Sequence, residues 1–79
     1  MTLVLKMPRM GMNVEDGTIV EWHKKPGDNF SKGEILYTIE TDKTTAEIEA
    51  PCDGKLISIQ ANEGDDVTVG DDICTILDQ

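Results

Sequence analysis

The residue with the clearest potential for chemistry in this sequence is Lys43, which lies in the stretch IETDKTTAEIEA at positions 39–50. Its neighbours are Asp42 and Thr44, and Glu40 lies three positions before it. A lysine amine that projects into water is either a solvated charge or a point where another group can be attached. Which role applies depends on how the surrounding elements present the lysine.

The alternation of side chains predicts that Lys43 lies at the apex of a β-hairpin. Successive side chains of a strand point to opposite faces, so the two arms must place their apolar residues in phase. With Asp42 and Lys43 as a two-residue loop, the inner face collects Ile35, Tyr37, Ile39, Ala46, Ile48 and Ala50. This register pairs Ile35 with Ala50 and leaves Leu36 as the one apolar residue on the outer face. The loop lacks the Gly or Asn that type I′ and II′ turns favour, so a type I turn is expected.

The rest of the chain has the pattern of an all-β domain. Glycine and aspartate separate short segments rich in Ile, Val and Thr, and no segment has a sustained helical period. The sequence also repeats with an offset of 37 residues, which pairs Gly17/Gly54, Gly27/Gly64, Asp28/Asp65, Gly33/Gly70, Thr38/Thr75 and Ile39/Ile76. Two similar halves predict two small sheets of equal size related by a pseudo-twofold axis, as a flattened barrel or sandwich of about eight short strands.

Length and charge restrict the classes of partner. At 79 residues the chain is expected to be one domain or part of a longer protein. Its formal charge of −9 argues against nucleic acid or an anionic membrane as partner, because phosphate binding needs clustered Lys and Arg. No apolar run approaches the roughly 20 residues of a membrane span, and the N-terminal apolar segment is too short for a signal peptide. A soluble, unexported domain is therefore expected.

Other reactive side chains give weaker signals. Cys52 and Cys74 are too far apart for a CxxC motif and are expected to be reduced thiols, with a disulfide as the alternative. His23 is the single histidine and has no placed Cys, Ser or acid partner, so a structural role is expected. Glu47 and Glu49 share one strand face, but nothing supplies the pocket or nucleophile that a hydrolytic or metal enzyme needs.

Three motifs together resemble the lipoyl domain of the dihydrolipoyl acyltransferase component of 2-oxo acid dehydrogenase complexes. They are ETDK at positions 40–43, GTIVEW at positions 17–22 and the Gly-Asp turns, and the resemblance extends from residue 3 to about residue 77. It implies two four-stranded antiparallel sheets with pseudo-twofold symmetry. It also implies that lipoic acid is linked to Lys43 as an amide.

The resemblance implies a carrier function, with the domain itself non-catalytic and monomeric. Lipoic acid on Lys43 would be attached by a lipoate ligase or a lipoyl/octanoyl transferase. It would accept an acyl group from a thiamin-dependent 2-oxo acid dehydrogenase, pass it to coenzyme A at the acyltransferase core, and be reoxidised by dihydrolipoyl dehydrogenase. Glu40, Asp42 and Thr44 would flank the lysine as recognition residues. The loop at residues 9–17 would lie close to it, although its methionines could simply cover the core.

Other interpretations of the same residues stay open. A biotinyl carrier domain shares this fold but usually presents its lysine between methionines, which Lys43 lacks. The lipoyl carrier protein of the glycine cleavage system is normally longer, and a pure interaction module differs only in the state of Lys43. We expect residues 1–79 to be the N-terminal domain of a longer acyltransferase, with a stand-alone carrier as the alternative. The expected compartment is the prokaryotic cytoplasm, with the mitochondrial matrix as the alternative, and the 2-oxo acid served is not specified.

Overall fold

The computed structural model describes residues 1–9 and 14–79. Within these ranges the strands are β1 (Thr2–Lys6), β2 (Asp16–Trp22), β3 (Asn29–Phe30), β4 (Ile35–Glu40), β5 (Thr45–Glu49), β6 (Gly54–Ile59), β7 (Asp66–Thr68) and β8 (Asp72–Asp78). They form two four-stranded sheets, in the orders β1-β8-β6-β3 and β5-β4-β2-β7. All strand pairs are antiparallel, which confirms the expected all-β class. Over the described residues the sheets do not join into a closed barrel, so the sandwich form is the one found. The same residues contain no helix that is long and apolar enough to cross a membrane.

The two sheets are related as the 37-residue repeat predicts. β2, β3 and β4 of the first half correspond to β6, β7 and β8 of the second, and each sheet has the same order of equivalent strands. Even the irregularities repeat: Val20 is an extra residue in β2 against β4, and Ile57 is an extra residue in β6 against β8. Both side chains are exposed, at 48% and 44%. A β-bulge of this kind is a built feature of the fold, because it recurs at equivalent positions.

The β4–β5 hairpin has the predicted register near its loop and a different one at its far end. The pairs formed by residues 37–40 are those expected, but Ile35 lies opposite Glu49 and not opposite Ala50. Leu36 is the extra residue of a bulge, and it is fully buried rather than on the outer face. The prediction was wrong here because one added residue reverses the alternation of faces.

The core lies between the sheets and is continuous. Its buried members are Met7, Ile19, Phe30, Leu36, Tyr37, Ile39, Ala50, Leu56, Ala61, Val67, Ile73, Cys74 and Ile76. Trp22 packs against this cluster with its ring centroid 4.8 Å from that of Tyr37, and its indole Nε1 donates a hydrogen bond to the Ala61 carbonyl oxygen at 2.8 Å. The indole is therefore fixed by packing on one side and by a polar contact on the other.

Glycine turns connect the strands at matching positions in the two halves. Gly27 and Gly64 have φ values of 98° and 89°, and Gly33 and Gly70 have values of 91° and 95°. This left-handed region is open to glycine and costly for other residues. The turns predicted from the repeated Gly-Asp pattern are thus confirmed, and they hold β4 and β8 in equivalent places.

Candidate functional site

Lys43 lies at the tip of the β4–β5 hairpin, as the alternation of side chains predicted. β4 ends at Glu40 and β5 begins at Thr45, so residues 41–44 form the connection. Lys43 is exposed. Within the described residues the ion pairs involve other cations, Lys6, His23 and Lys24. The Lys43 amine is therefore presented to water, and no carboxylate of residues 1–9 or 14–79 is paired with it.

The turn under Lys43 is closed by the side chain of Thr41. The Thr41 amide donates to the Thr44 carbonyl oxygen at 2.7 Å. The Lys43 and Thr44 amides donate to Thr41 Oγ1 at 3.3 and 3.1 Å, and that hydroxyl donates to the Thr44 carbonyl oxygen at 3.0 Å. No described residue other than glycine has a positive φ, which excludes type I′ and II′ turns as expected. A hydroxyl thus takes the role that a main-chain carbonyl has in an ordinary type I turn.

Thr41 is the residue of the turn whose contacts were not predicted from the sequence. Only 8% of its surface is exposed, although it is a polar residue next to an exposed lysine. Its burial is tolerated because its hydroxyl has one donor and two acceptor positions, and all are used by the turn. A Thr directly before a turn is a known signal for a side-chain-to-backbone bond, so the motif was present in the sequence.

An acidic groove borders the same turn. It is a shallow cavity of about 330 Å³ lined by Asp16, Gly17, Thr18, Glu40, Thr41, Asp42 and Asp66. Glu40 and Asp42, two of the predicted recognition residues, therefore line one surface, whereas Thr44 is exposed and does not line it. Asp66 joins them because β7 pairs with β2, where Thr18 Oγ1 donates to Asp66 Oδ1 at 2.7 Å. No local pattern in the sequence indicates this contribution, since β7 is distant along the chain.

The loop at residues 9–17, predicted to lie close to the lysine turn, reaches the site at its C-terminal end. Asp16 and Gly17, at the end of that segment, line the acidic groove. Met10 and Met12, which the sequence offered as cover for the core, lie outside the described residues. The start of β2 therefore contacts the site, and the prediction for the methionines remains a prediction.

The other candidate side chains do not assemble into a reactive site. His23 Nε2 lies 2.8 Å from Thr38 Oγ1 and 3.9 Å from Glu21 Oε1, in a polar cluster without a nucleophile. Glu47 and Glu49 are exposed on β5. Among the residues that the structure describes, no three His, Cys, Asp or Glu side chains are grouped to hold a metal ion.

The two cysteines are free thiols in unreactive surroundings. Burial raises the pKa of the Cys74 thiol to about 12. For Cys52, which is half-buried, burial raises the thiol pKa and the carboxylate of Asp78 raises it further. Because the thiolate is the nucleophile, both residues are poor candidates for chemistry at neutral pH.

Comparison with known proteins places the chain in a family. Residues 3–76 match the Biotin_lipoyl family model, described as "Biotin-requiring enzyme". The chain is 41% identical over 73 residues to the dihydrolipoyllysine-residue acetyltransferase component of pyruvate dehydrogenase complex from Acholeplasma laidlawii, covering 92% of this chain and 13% of that protein. It is 42% identical over 78 residues to the acetyltransferase component of acetoin cleaving system from Bacillus subtilis, covering 99% of this chain and 20% of that protein. The chain thus spans a fifth or less of these relatives' length.

Solved structures agree with the sequence matches. The solution structure of the lipoyl domain of the 2-oxoglutarate dehydrogenase complex from Azotobacter vinelandii superposes with a TM-score of 0.79, at 37% identity and 95% coverage of both chains. A single-chain, multi-domain long-chain acyl-CoA carboxylase gives a TM-score of 0.85 at 20% identity, covering 99% of this chain and 7% of that one, which shows a shared fold alone. The resemblance found in the motifs is confirmed. The chain belongs to the Biotin_lipoyl family, and its sequence is similar to the lipoyl domains of dihydrolipoyllysine acyltransferase components.

Proposed function

We propose that this domain carries lipoic acid as an amide on Lys43 and serves as the mobile carrier of a 2-oxo acid dehydrogenase complex. The observation that carries the proposal is the position of Lys43, exposed at the apex of a turn whose backbone is held by hydrogen bonds. It is supported by the similarity to the acetyltransferase component of a pyruvate dehydrogenase complex and to the lipoyl domain of a 2-oxoglutarate dehydrogenase complex.

The residues at the turn fit a covalently attached group. Attachment as an amide requires an amine that an enzyme can reach, and Lys43 is exposed and outside the ion pairs of the described residues. When bound, lipoic acid supplies a disulfide that can be reduced and acylated. We propose that the described residues contribute no reacting group of their own, and the raised pKa of the Cys74 thiol supports this.

The chain's own role is to present Lys43 to partner enzymes and to fix the backbone from which its side chain projects. The flexible stem of Lys43 gives reach, while the bonded turn at residues 41–44 gives that stem a fixed origin. Tethering converts each meeting with an enzyme of the same complex into an effectively intramolecular event, at a local concentration set by the length of the tether. The two sheets packed behind the turn support the base of this arm.

The neighbours of Lys43 favour lipoic acid over biotin. Asp42 and Thr44 flank the lysine, whereas biotinyl carrier domains usually present theirs between methionines. The likeness to an acyl-CoA carboxylase rests on the fold at 20% identity, so it gives biotin no comparable support. Biotinylation of the same lysine is the second candidate.

We propose that recognition by partner enzymes uses Glu40, Asp42 and Thr44, with Asp16 and Asp66 extending the acidic surface beside the turn. Carboxylates around a tethered group would steer it towards basic active-site entrances and would act mainly on the rate of association. The partners that we propose are a lipoate-attaching enzyme, a thiamin-dependent 2-oxo acid dehydrogenase, dihydrolipoyl dehydrogenase and an acyltransferase core. We also propose that this core lies on the same chain, because the relatives extend well beyond the matched region.

Purified enzymes test the proposal directly. The lipoylated domain is incubated separately with the pyruvate, 2-oxoglutarate and branched-chain 2-oxo acid dehydrogenases, each with its substrate and thiamin diphosphate, and the mass increase is measured. We expect one enzyme to acylate the domain at the highest rate and Lys43→Ala to take up no acyl group. Equal, background-level uptake by the domain and by Lys43→Ala would refute the carrier function.

A further inference from the structure

The hydroxyl of Thr41 stands out among the polar groups of the turn because it contacts the main chain of Lys43 itself. It accepts hydrogen bonds from the amides of Lys43 and Thr44 at 3.3 and 3.1 Å and donates to the Thr44 carbonyl oxygen at 3.0 Å. We propose that Thr41 is a positioning residue for the covalent modification of Lys43. This inference rests on the proposed function and assigns the residue that holds the lysine ready for its modifying enzyme.

No other described side chain of residues 41–44 is placed to accept hydrogen bonds from the turn amides. The Asp42 carboxylate lines the acidic groove and is not a partner of the turn amides. The Thr44 hydroxyl donates outward to the Thr45 carbonyl oxygen at 3.4 Å. The Thr41 hydroxyl is therefore the one side-chain group in these residues that links both sides of the lysine.

The burial of Thr41 makes the hydroxyl hard to replace with water. With 8% of its surface exposed, Thr41 lies against the body of the sandwich while the residues after it are exposed. Removing the hydroxyl leaves two amide donors without their partner, and these donors turn towards solvent by changing the backbone angles of the loop. The Lys43 side chain would then project from several different backbone conformations of the loop.

The expected consequence is a loss of binding-competent molecules and not a loss of amine reactivity. When only a fraction of molecules presents the lysine correctly, the apparent affinity of the enzyme falls by that fraction. Leaving two amide donors without a partner lowers the equilibrium constant for the correct orientation by about fifty- to a hundredfold. From a starting fraction near one, in which the correct orientation is favoured about tenfold, the population then falls about five- to tenfold. A small acylating reagent does not depend on the turn, so it should react with Lys43 at an unchanged rate.

A kinetic comparison of matched variants tests this inference. Thr41→Val keeps the shape and removes the hydroxyl, Thr41→Ser keeps the hydroxyl, and Thr45→Val makes the same change at an exposed position outside the turn bonds. Steady-state lipoylation by lipoate ligase is measured below the unfolding temperature of every variant. We expect Thr41→Val to lower kcat/KM about five- to tenfold, mainly through KM, and Thr41→Ser and Thr45→Val to remain within about twofold of the wild type.

Two control measurements distinguish failure of the positioning role of Thr41 from failure of the carrier function. Acetic anhydride labelling of Lys43 should be equal in all variants, and amide hydrogen exchange of Thr44 in the wild type should be slowed at least about tenfold relative to an unstructured chain. Wild-type kcat/KM in a folded Thr41→Val, or an unprotected Thr44 amide, would overturn the positioning role while leaving the carrier function intact. Failure of the wild-type domain to accept lipoate would instead overturn the carrier function. The exchange measurement needs no variant, so it decides the matter even if Thr41→Val does not fold.

Discussion

Gly17 lies directly against the main chain of Glu40, where β4 ends and the lysine turn begins. A Cβ at position 17 would stand 2.9 Å from the Glu40 carbonyl oxygen and 3.1 Å from Cγ1 of Ile39. The absence of a side chain lets β2 approach β4 where the acidic groove begins. In the other half of the repeat, Gly54 lies against the Leu77 carbonyl oxygen, closer still.

This pair of glycines predicts a separable effect on stability and on modification. Gly17→Ala and Gly54→Ala should each lower the free energy of unfolding by about 1–3 kcal/mol, because backbone atoms must move to admit the methyl group. Gly17→Ala should also slow lipoylation of Lys43, whereas Gly54→Ala, which pairs with Asp78 near the chain ends, should not. Urea unfolding followed by the fluorescence of Trp22, and ligase kinetics on the folded proteins, measure the two effects. Equal slowing of lipoylation by both variants would show that the effect is one of stability alone.

The bulge in β4 turns Leu36 into the core, so shortening this side chain should destabilise the protein. Leu36→Ala should lower the free energy of unfolding by about 2–5 kcal/mol, because it removes a fully buried side chain and leaves a cavity. Ile57→Ala is the matched change at a bulge whose side chain is 44% exposed, and it should cost less than about 1 kcal/mol. Urea denaturation compares them. Similar values for the two variants would contradict the described orientation of the bulges.

Because the thiol of Cys74 is buried, we expect the protein to lose stability at alkaline pH. Burial raises the pKa of its thiol from 9.0 to about 12, so the folded protein keeps the proton where the unfolded chain releases it. Stability should therefore be fully present below pH 9 and fall as the pH rises through the window from 9 to 12, at up to about 1.4 kcal/mol per pH unit. Burial also raises the pKa of Tyr37, which adds to the loss above pH 10. The free energy of unfolding is best measured between about pH 8 and pH 10, below the range in which Tyr37 contributes; Cys52, whose thiol pKa is also raised, adds to the slope in this range.

Cys74→Ala is the control for that measurement. The variant should be less stable at neutral pH, because Cys74 is fully buried and its replacement leaves a small void. Its stability should nevertheless fall less steeply with rising pH than that of the wild type. Parallel curves for the two proteins would show that the Cys74 thiol does not carry the pH dependence.

The acidic groove predicts a dependence of partner turnover on salt. Asp42→Asn and Glu40→Gln should each lower kcat/KM for acylation by the cognate dehydrogenase about two- to fivefold at low ionic strength, with a smaller effect at about 0.5 M salt. Glu49→Gln removes a charge at the far end of the same hairpin, outside the groove, and serves as the control. Turnover that responds neither to salt nor to the two groove variants would exclude electrostatic steering.

Much of the fold could be predicted because it rests on two periodicities. The period of two along β4 and β5 placed Lys43 at the tip, and the 37-residue repeat indicated two equal sheets. The bulge at Leu36 was missed because the sequence fits two arrangements equally well. Leu36 and Tyr37 could both point inward at a bulge, or Leu36 could be a single apolar residue on the outer face of a regular strand. The equivalent pair in β8, Ile73 and Cys74, is buried in the same way and shows that the bulge belongs to the repeat.

The site was predictable to a different extent for each residue. Lys43 and its neighbours Asp42 and Glu40 follow from a local motif, and the structure brings the two acids together. The contribution of Asp66 depends on the pairing of β7 with β2, which local sequence does not encode. A bond from the Thr41 side chain to the backbone could be expected from the sequence, because Thr41 directly precedes the turn. The burial of Thr41 could not, because it is set by how the hairpin packs on the sandwich.

The most direct test of the central claim is the intact mass of the protein, followed by peptide mapping of Lys43, after expression in cells supplied with both lipoate and biotin. The account predicts a lipoyl increment on the peptide that contains Lys43 and its complete absence from Lys43→Ala. A biotinyl increment on Lys43, or an unmodified lysine even after treatment with purified lipoate ligase, would contradict it.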